Sequence, residues 1–92
     1  MKEQIAKHII FIGRVQGVGF RFTALDIARR HRINGFVRNL PDGTVEMVAQ
    51  GNPEAVSDCI RDINESFSGY IRDTRIEEIP ANPECEEFKI TF

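Results

Sequence analysis

The nine residues Gly13-Arg14-Val15-Gln16-Gly17-Val18-Gly19-Phe20-Arg21 lie between an apolar, strand-like run and a segment with helical periodicity. A strand that passes into a helix through two closely spaced glycines has few ways to fold. Gly17 and Gly19 remove Cβ atoms where a tight loop must turn its N–H groups inward, and Arg21 adds a planar, permanently charged fork near the helix start. The pattern predicts an anion cradle, and phosphate is its natural guest.

Around this loop the periodicity is clear. Residues 7–13 are rich in β-branched and aromatic side chains and predict a strand ending at Gly13. Residues 22–32 predict a helix, with Ala24, Ile27, Ala28 and His31 on one side joined by Leu25. Arg29, Arg30 and Arg32 crowd its last turn, where cations complement the helix dipole. With no aromatics interleaved, those arginines read as a solvated helix end rather than a binding patch. Gly35-Phe36-Val37-Arg38-Asn39 predicts a short strand, Leu40-Pro41-Asp42-Gly43 a turn, and Thr44 to Gln50 the hairpin partner. After Gly51, Asn52 is placed to cap a second helix that has Pro53 in its first position. Val56, Cys59, Ile60, Ile63 and Phe67 form one helical stripe, which makes Cys59 a packing residue rather than a nucleophile. Another strand falls within residues 69–79, chiefly 74–79. A loop then runs from Pro80 to Cys85, and Phe88, Ile90 and Phe92 alternate in a last strand.

The order is β-α-β-β-α-β with a short extra strand, an α+β arrangement. It predicts a ferredoxin-like sandwich: an antiparallel sheet with two helices on one face. Ninety-two residues suit one domain, 1–92, able to bury about 60–65% of its unfolded surface in one core. If a right-handed crossover joins the first two strands in parallel, their C-terminal ends share an edge of the sheet. Asn39 then meets the 13–21 loop despite standing 18 residues beyond Arg21.

A formal charge of -2 offers nucleic acid or anionic membranes no general attraction, so any positive field must be local. Met1-Lys2-Glu3-Gln4 lacks a signal-peptide design and Ile9-Ile10-Phe11-Ile12 is too short to cross a bilayer, which makes the cytoplasm the expected location. Cys59 and Cys85 have no partner at metal-ligand spacing and are expected as free thiols; neither metal nor cofactor is expected. His8 and His31 read as structural, Asp42 as a turn residue, and Glu77, Glu78, Glu84, Glu86 and Glu87 as solvated surface. Arg14 and Arg38 can raise the local positive potential.

With the 13–21 loop, the 35–39 strand, Asp42-Gly43-Thr44-Val45-Glu46 and Gly51 at these spacings, nearly the whole chain resembles the acylphosphatases, small enzymes that hydrolyse the carboxyl–phosphate anhydride of acyl phosphates. The resemblance implies that Arg21 binds the phosphate and Asn39 positions the attacking water. It also implies that the amides of Val15, Gln16, Gly17, Val18, Gly19, Phe20 and Arg21 form the cradle. A monomer acting on a small acyl phosphate and releasing inorganic phosphate is expected. Family members commonly carry a Gly-Pro turn where this chain has Gly69-Tyr70.

The chemistry suits so sparse an inventory. A carboxylate leaving group of pKa about 4–5 departs without a general acid. Charge on the equatorial phosphoryl oxygens can be met by an arginine and fixed backbone dipoles. A cysteine phosphatase would need its nucleophile six positions before the arginine, and that position is Val15. Two other classes share the element order. An RNA-recognition module would need stacking aromatics on its third strand, and Thr44 to Gln50 has none. A carbamoyl-phosphate-handling segment, such as the one at the front of larger maturation proteins, would be followed by zinc-finger cysteines; a stand-alone enzyme is expected instead.

Overall fold

Along the first strand, β1 (Ile5–Gly13), Ile9 and Phe11 turn to one face and are fully buried, while His8 and Ile10 stay partly open. The computed structural model describes residues 3–92. Met1 and Lys2, part of the stretch read for a signal peptide, lie outside the described residues. The same alternation recurs in β2 (Asn34–Asn39), where Gly35 and Val37 are buried, and in β3 (Val45–Gly51), where Val45, Met47 and Ala49 are. Register aligns these rows: Met47 lies opposite both Ile9 and Val37, and Val45 opposite both Phe11 and Asn39. One continuous apolar face results, and α1 (Phe20–Arg30) and α2 (Pro53–Ser66) cover it.

β4 (Ile71–Ile79) pairs with β1, and β5 (Phe88–Ile90) with β2, giving the sheet order β4-β1-β3-β2-β5. The pairings among the first four strands are antiparallel, as expected. The short fifth runs parallel to β2, so the sheet is mixed. Phe92 lies beyond it, and its side chain is exposed. Because β3 is antiparallel to both β1 and β2, those two strands run in one direction and end at one edge.

The helices differ in how legible their ends are. Asn52 Oδ1 accepts from the Glu54 N–H at 3.0 Å, and Pro53 opens α2 as its fixed φ allows. The whole stripe of Val56, Cys59, Ile60, Ile63 and Phe67 is buried. By contrast α1 begins at Phe20 and ends at Arg30, two residues ahead of the expected 22–32 at each end. Its C-terminus closes when the Ile33 N–H donates to Ala28 O at 2.8 Å and Arg32 takes a φ of 58°. That left-handed position usually carries glycine; a side chain there costs about 1–2 kcal/mol.

On the opposite face of the sheet His8, Arg38 and Glu46 meet, and buried Gln50 exchanges hydrogen bonds with the Asn82 backbone, fastening the loop after β4. Glu77, Glu78, Glu84, Glu86 and Glu87 are exposed, as expected.

Candidate active site

Between β1 and α1 the chain has to reverse its peptide planes within a few residues. Gly17 and Gly19 do this with φ of 78° and 76°. A Cβ at either would meet no atom within 4 Å, so glycine is required by the backbone conformation and the space beside it stays open. Three neighbours hold the loop. Val15 is fully buried in the core. The Arg14 N–H donates to Tyr70 O at 2.9 Å, and its guanidinium lies 5.7 Å from the Tyr70 ring centre, so Tyr70 braces the loop through both its backbone and its ring. Gln16 Nε2 donates to Leu40 O and to Thr44 O, both at 2.8 Å. Those two bonds, worth about 1 kcal/mol each, tie the cradle to the turn that follows Asn39.

The first turn of α1 is pinned by Phe20, whose ring lies 5.0 Å from Phe11 and 4.5 Å from Phe67 between centroids. Offset and tilted pairs of this kind contribute about 0.5–1.5 kcal/mol beyond burial. Unlike α2, this helix has no side-chain cap and no acidic residue in its first turn. Its leading N–H groups and the positive end of its dipole have no capping side chain, and Arg21 stands among them.

Asn39 closes β2 opposite Val45, in the same row as Phe11. A cavity of about 100 Å³ joins the two motifs, lined by Val15, Gly17, Gly19, Phe20, Arg21, Phe22 and Asn39. Among the described residues no carboxylate lines it and none pairs with Arg21. Of the cradle residues expected, Gln16 and Val18 are not in the lining. Gln16 faces the hairpin instead, and Val18 is exposed at the loop tip. Phe22, one residue beyond the loop motif, also lines the cavity. A larger concavity of about 390 Å³ lies at the other end of β1 and shares no residue with either motif.

The acylphosphatase family model matches residues 7–90. The chain belongs to the acylphosphatase family. It is 44% identical over 84 residues to the acylphosphatase of Chlorobaculum tepidum, covering 90% of this chain and 91% of that one. The crystal structure of acylphosphatase from Bacillus subtilis superposes with a TM-score of 0.88 at 30% identity, covering 96% of this chain and 99% of that one. T. kodakarensis HypF matches with a TM-score of 0.84 at 32% identity, but 96% of this chain spans only 12% of that one. Acylphosphatases hydrolyse acyl phosphates, and this chain is such an enzyme.

The remaining candidates in this acylphosphatase have structural partners. His8 Nε2 lies 2.7 Å from Glu46 Oε2, and Arg38 donates to the other oxygen of the same carboxylate. Burial alone would push the Glu46 carboxyl up, but the hydrogen bonds from His8 and Arg38 outweigh it and hold it below its ordinary value. Arg38 is therefore engaged on the open face of the sheet. His31 Nε2 lies 2.7 Å from Asp62 Oδ2, joining the end of α1 to α2. Asp42 Oδ1 accepts from both the N–H and the hydroxyl of Thr44, shaping the turn. Among the described residues no group of three His, Cys, Asp or Glu side chains is placed to hold a metal, and no helix is long and apolar enough to cross a membrane.

Neither cysteine is a ready nucleophile. Burial pushes the Cys59 thiol up to about 12, with Asp62 adding to it, and burial also raises Cys85. Replacing both with serine is expected to leave turnover intact while the Cys59→Ser hydroxyl lowers stability by about 1–3 kcal/mol. Steady-state rates and denaturant melts check this, and a phosphoenzyme trapped on either sulfur would contradict it.

Proposed function

We propose that this chain cleaves the carboxyl–phosphate anhydride by direct attack of water, with Arg21 and the loop amides holding the phosphoryl group and Asn39 orienting the water. The observation that carries this reading is the convergence of the two motifs on one small, carboxylate-free cavity: Gly17, Gly19 and Arg21 from one side, Asn39 from the other. In it residues 1–92 form one catalytic domain, working as a monomer in the cytoplasm.

The step balances without an acid, a metal or a covalent intermediate. A water oxygen forms a bond to phosphorus as the bond from phosphorus to the acyl oxygen breaks, and the electron pair leaves with the carboxylate. That group is stable as an anion at neutral pH, with a pKa of about 4–5. The Asn39 carbonyl accepts from the water and its amide donates to a phosphoryl oxygen. Asparagine is too weak a base to take the proton, which passes to a phosphate oxygen. Arg21 and the first-turn N–H groups meet the charge on the equatorial oxygens, in fixed positions that need no reorganisation during the reaction. Val15, buried where a cysteine phosphatase would carry its nucleophile, supports attack by water.

The test is hydrolysis of acetyl phosphate beside p-nitrophenyl phosphate, with and without EDTA. Acetyl phosphate is expected to turn over, inorganic phosphate to compete, and EDTA to change nothing. The monoester should be the poorer substrate, since p-nitrophenolate is a more basic leaving group than a carboxylate and departs less readily without an acid. A rate abolished by EDTA and restored by Mg²⁺ would transfer the role of Arg21 to a metal.

A further inference from the structure

The cradle accounts for the phosphate and leaves the other half of the substrate unassigned. Phe22 is 69% exposed on the solvent side of α1, two residues from Phe20, which is buried in the aromatic cluster. Its neighbours on that side of the helix are Asp26, Arg29 and Arg30, all exposed and polar, so no packing demand explains an aromatic there. Yet Phe22 lines the same cavity as Arg21 and Asn39. Phe92 is 96% exposed, and its ring lies 5.2 Å from the Arg21 guanidinium. Single exposed apolar side chains are ordinary on protein surfaces. Two aromatics beside one polar cradle, with Arg21 the only charged side chain among the described residues that line the cavity, form a pattern with a chemical meaning.

We infer that Phe22 and Phe92 form the acyl side of the site and select acyl phosphates whose acyl group is apolar and ring-bearing. This inference rests on the proposed function, because it is the phosphate in the cradle that brings the acyl group to the rim. The anhydride links the two halves through a single bridging oxygen, so an acyl chain leaving a phosphoryl group held by Arg21 emerges within reach of the cavity wall. An aromatic or branched group gains by covering the Phe22 ring and losing water. A group bearing a further carboxylate or phosphate finds no second cation in the lining and loses hydration against two rings. Phe92, in contact with Arg21, also limits the directions in which that guanidinium can turn.

Acetyl phosphate and phenylacetyl phosphate differ by one phenyl ring and separate the two halves of the site. Their kcat/KM values, each divided by the uncatalysed hydrolysis rate of the same compound, give a selectivity ratio. That ratio is expected to favour phenylacetyl phosphate by roughly tenfold, the scale of one apolar contact in a half-open site. Phe22→Ser should bring it close to unity and Phe22→Leu should restore part of it. Inhibition by inorganic phosphate, which touches only the cradle, should change little in either variant. Phe22 is exposed, so folding does not depend on it. A wild-type enzyme that hydrolyses both compounds without preference, or a ratio that survives Phe22→Ser, overturns the acyl subsite and leaves the phosphate site standing. Failure of the wild type to hydrolyse either compound overturns both.

Discussion

Replacing Arg21 with glutamine is expected to lower kcat/KM for acetyl phosphate by about 10³-fold or more while the protein stays folded. An arginine that meets transition-state charge on a transferring phosphoryl group is worth about 10³–10⁵ in rate. Among the described residues no other side-chain cation shares the cavity lining with it. Little else depends on the guanidinium. It has no ion pair among the described residues, and its contact with Phe92 is an exposed one worth about 0.5–1 kcal/mol. Thermal melts should therefore move little, and inhibition by inorganic phosphate should weaken together with turnover. Arg21→Lys should also be poor, since a compact ammonium cannot reproduce the two parallel N–H donors of a guanidinium. Near-normal turnover in a folded Arg21→Gln protein would remove Arg21 from the reaction.

Much of the framework that positions these residues could be read from residue types alone. Helix α2 carries both of its signals locally: a capping asparagine with proline after it, and an apolar stripe at helical spacing. The start of α1 carries neither. Its N-cap is a left-handed glycine, which offers no oxygen to recognise, so Phe20 and Arg21 read as loop rather than helix. Its end is equally quiet, because arginine occupies the left-handed position that glycine usually marks. β4 begins at Ile71, ahead of the expected 74–79, because an edge strand exposed along most of its length has no apolar alternation to announce it. The parallel pairing of β5 with β2 is a choice of sheet edge, and a period of two carries no information about direction.

The site divides in the same way. Glycines and an arginine at short spacing state a chemical purpose, and the crossover argument brings Asn39 to them because strand direction follows from connectivity. Gln16 was legible only as one more amide of the cradle. Its side chain reaches backbone carbonyls at Leu40 and Thr44, and carbonyls are the same at every position, so no residue type marks the contact. Phe22 was hidden for the opposite reason: it opens the expected helix outside its apolar side, and no residue type shows that the cavity reaches it.

Asn39→Ala is expected to cut turnover of acetyl phosphate by roughly 10²-fold or more, the effect of removing one preorganised polar group from a transition state. Phosphate affinity should fall far less than turnover, because only one of several donors to the phosphate is lost while Arg21, the loop amides and the open end of α1 all remain. The backbone should tolerate the change: Asn39 pairs with Val45 through main-chain groups at the end of β2, and alanine keeps them. Asn39→Asp separates orientation from charge. An aspartate can still accept from water, but it cannot donate to the phosphate and it adds a negative charge to a cavity that has no other. It should therefore be as slow as alanine or slower, and should weaken phosphate inhibition more than alanine does. The decisive pair of measurements is the inhibition constant of inorganic phosphate and the saturating rate for folded Asn39→Ala. A collapse of affinity with the saturating rate intact would make Asn39 a ligand of the ground state, and the water would then need another residue to aim it.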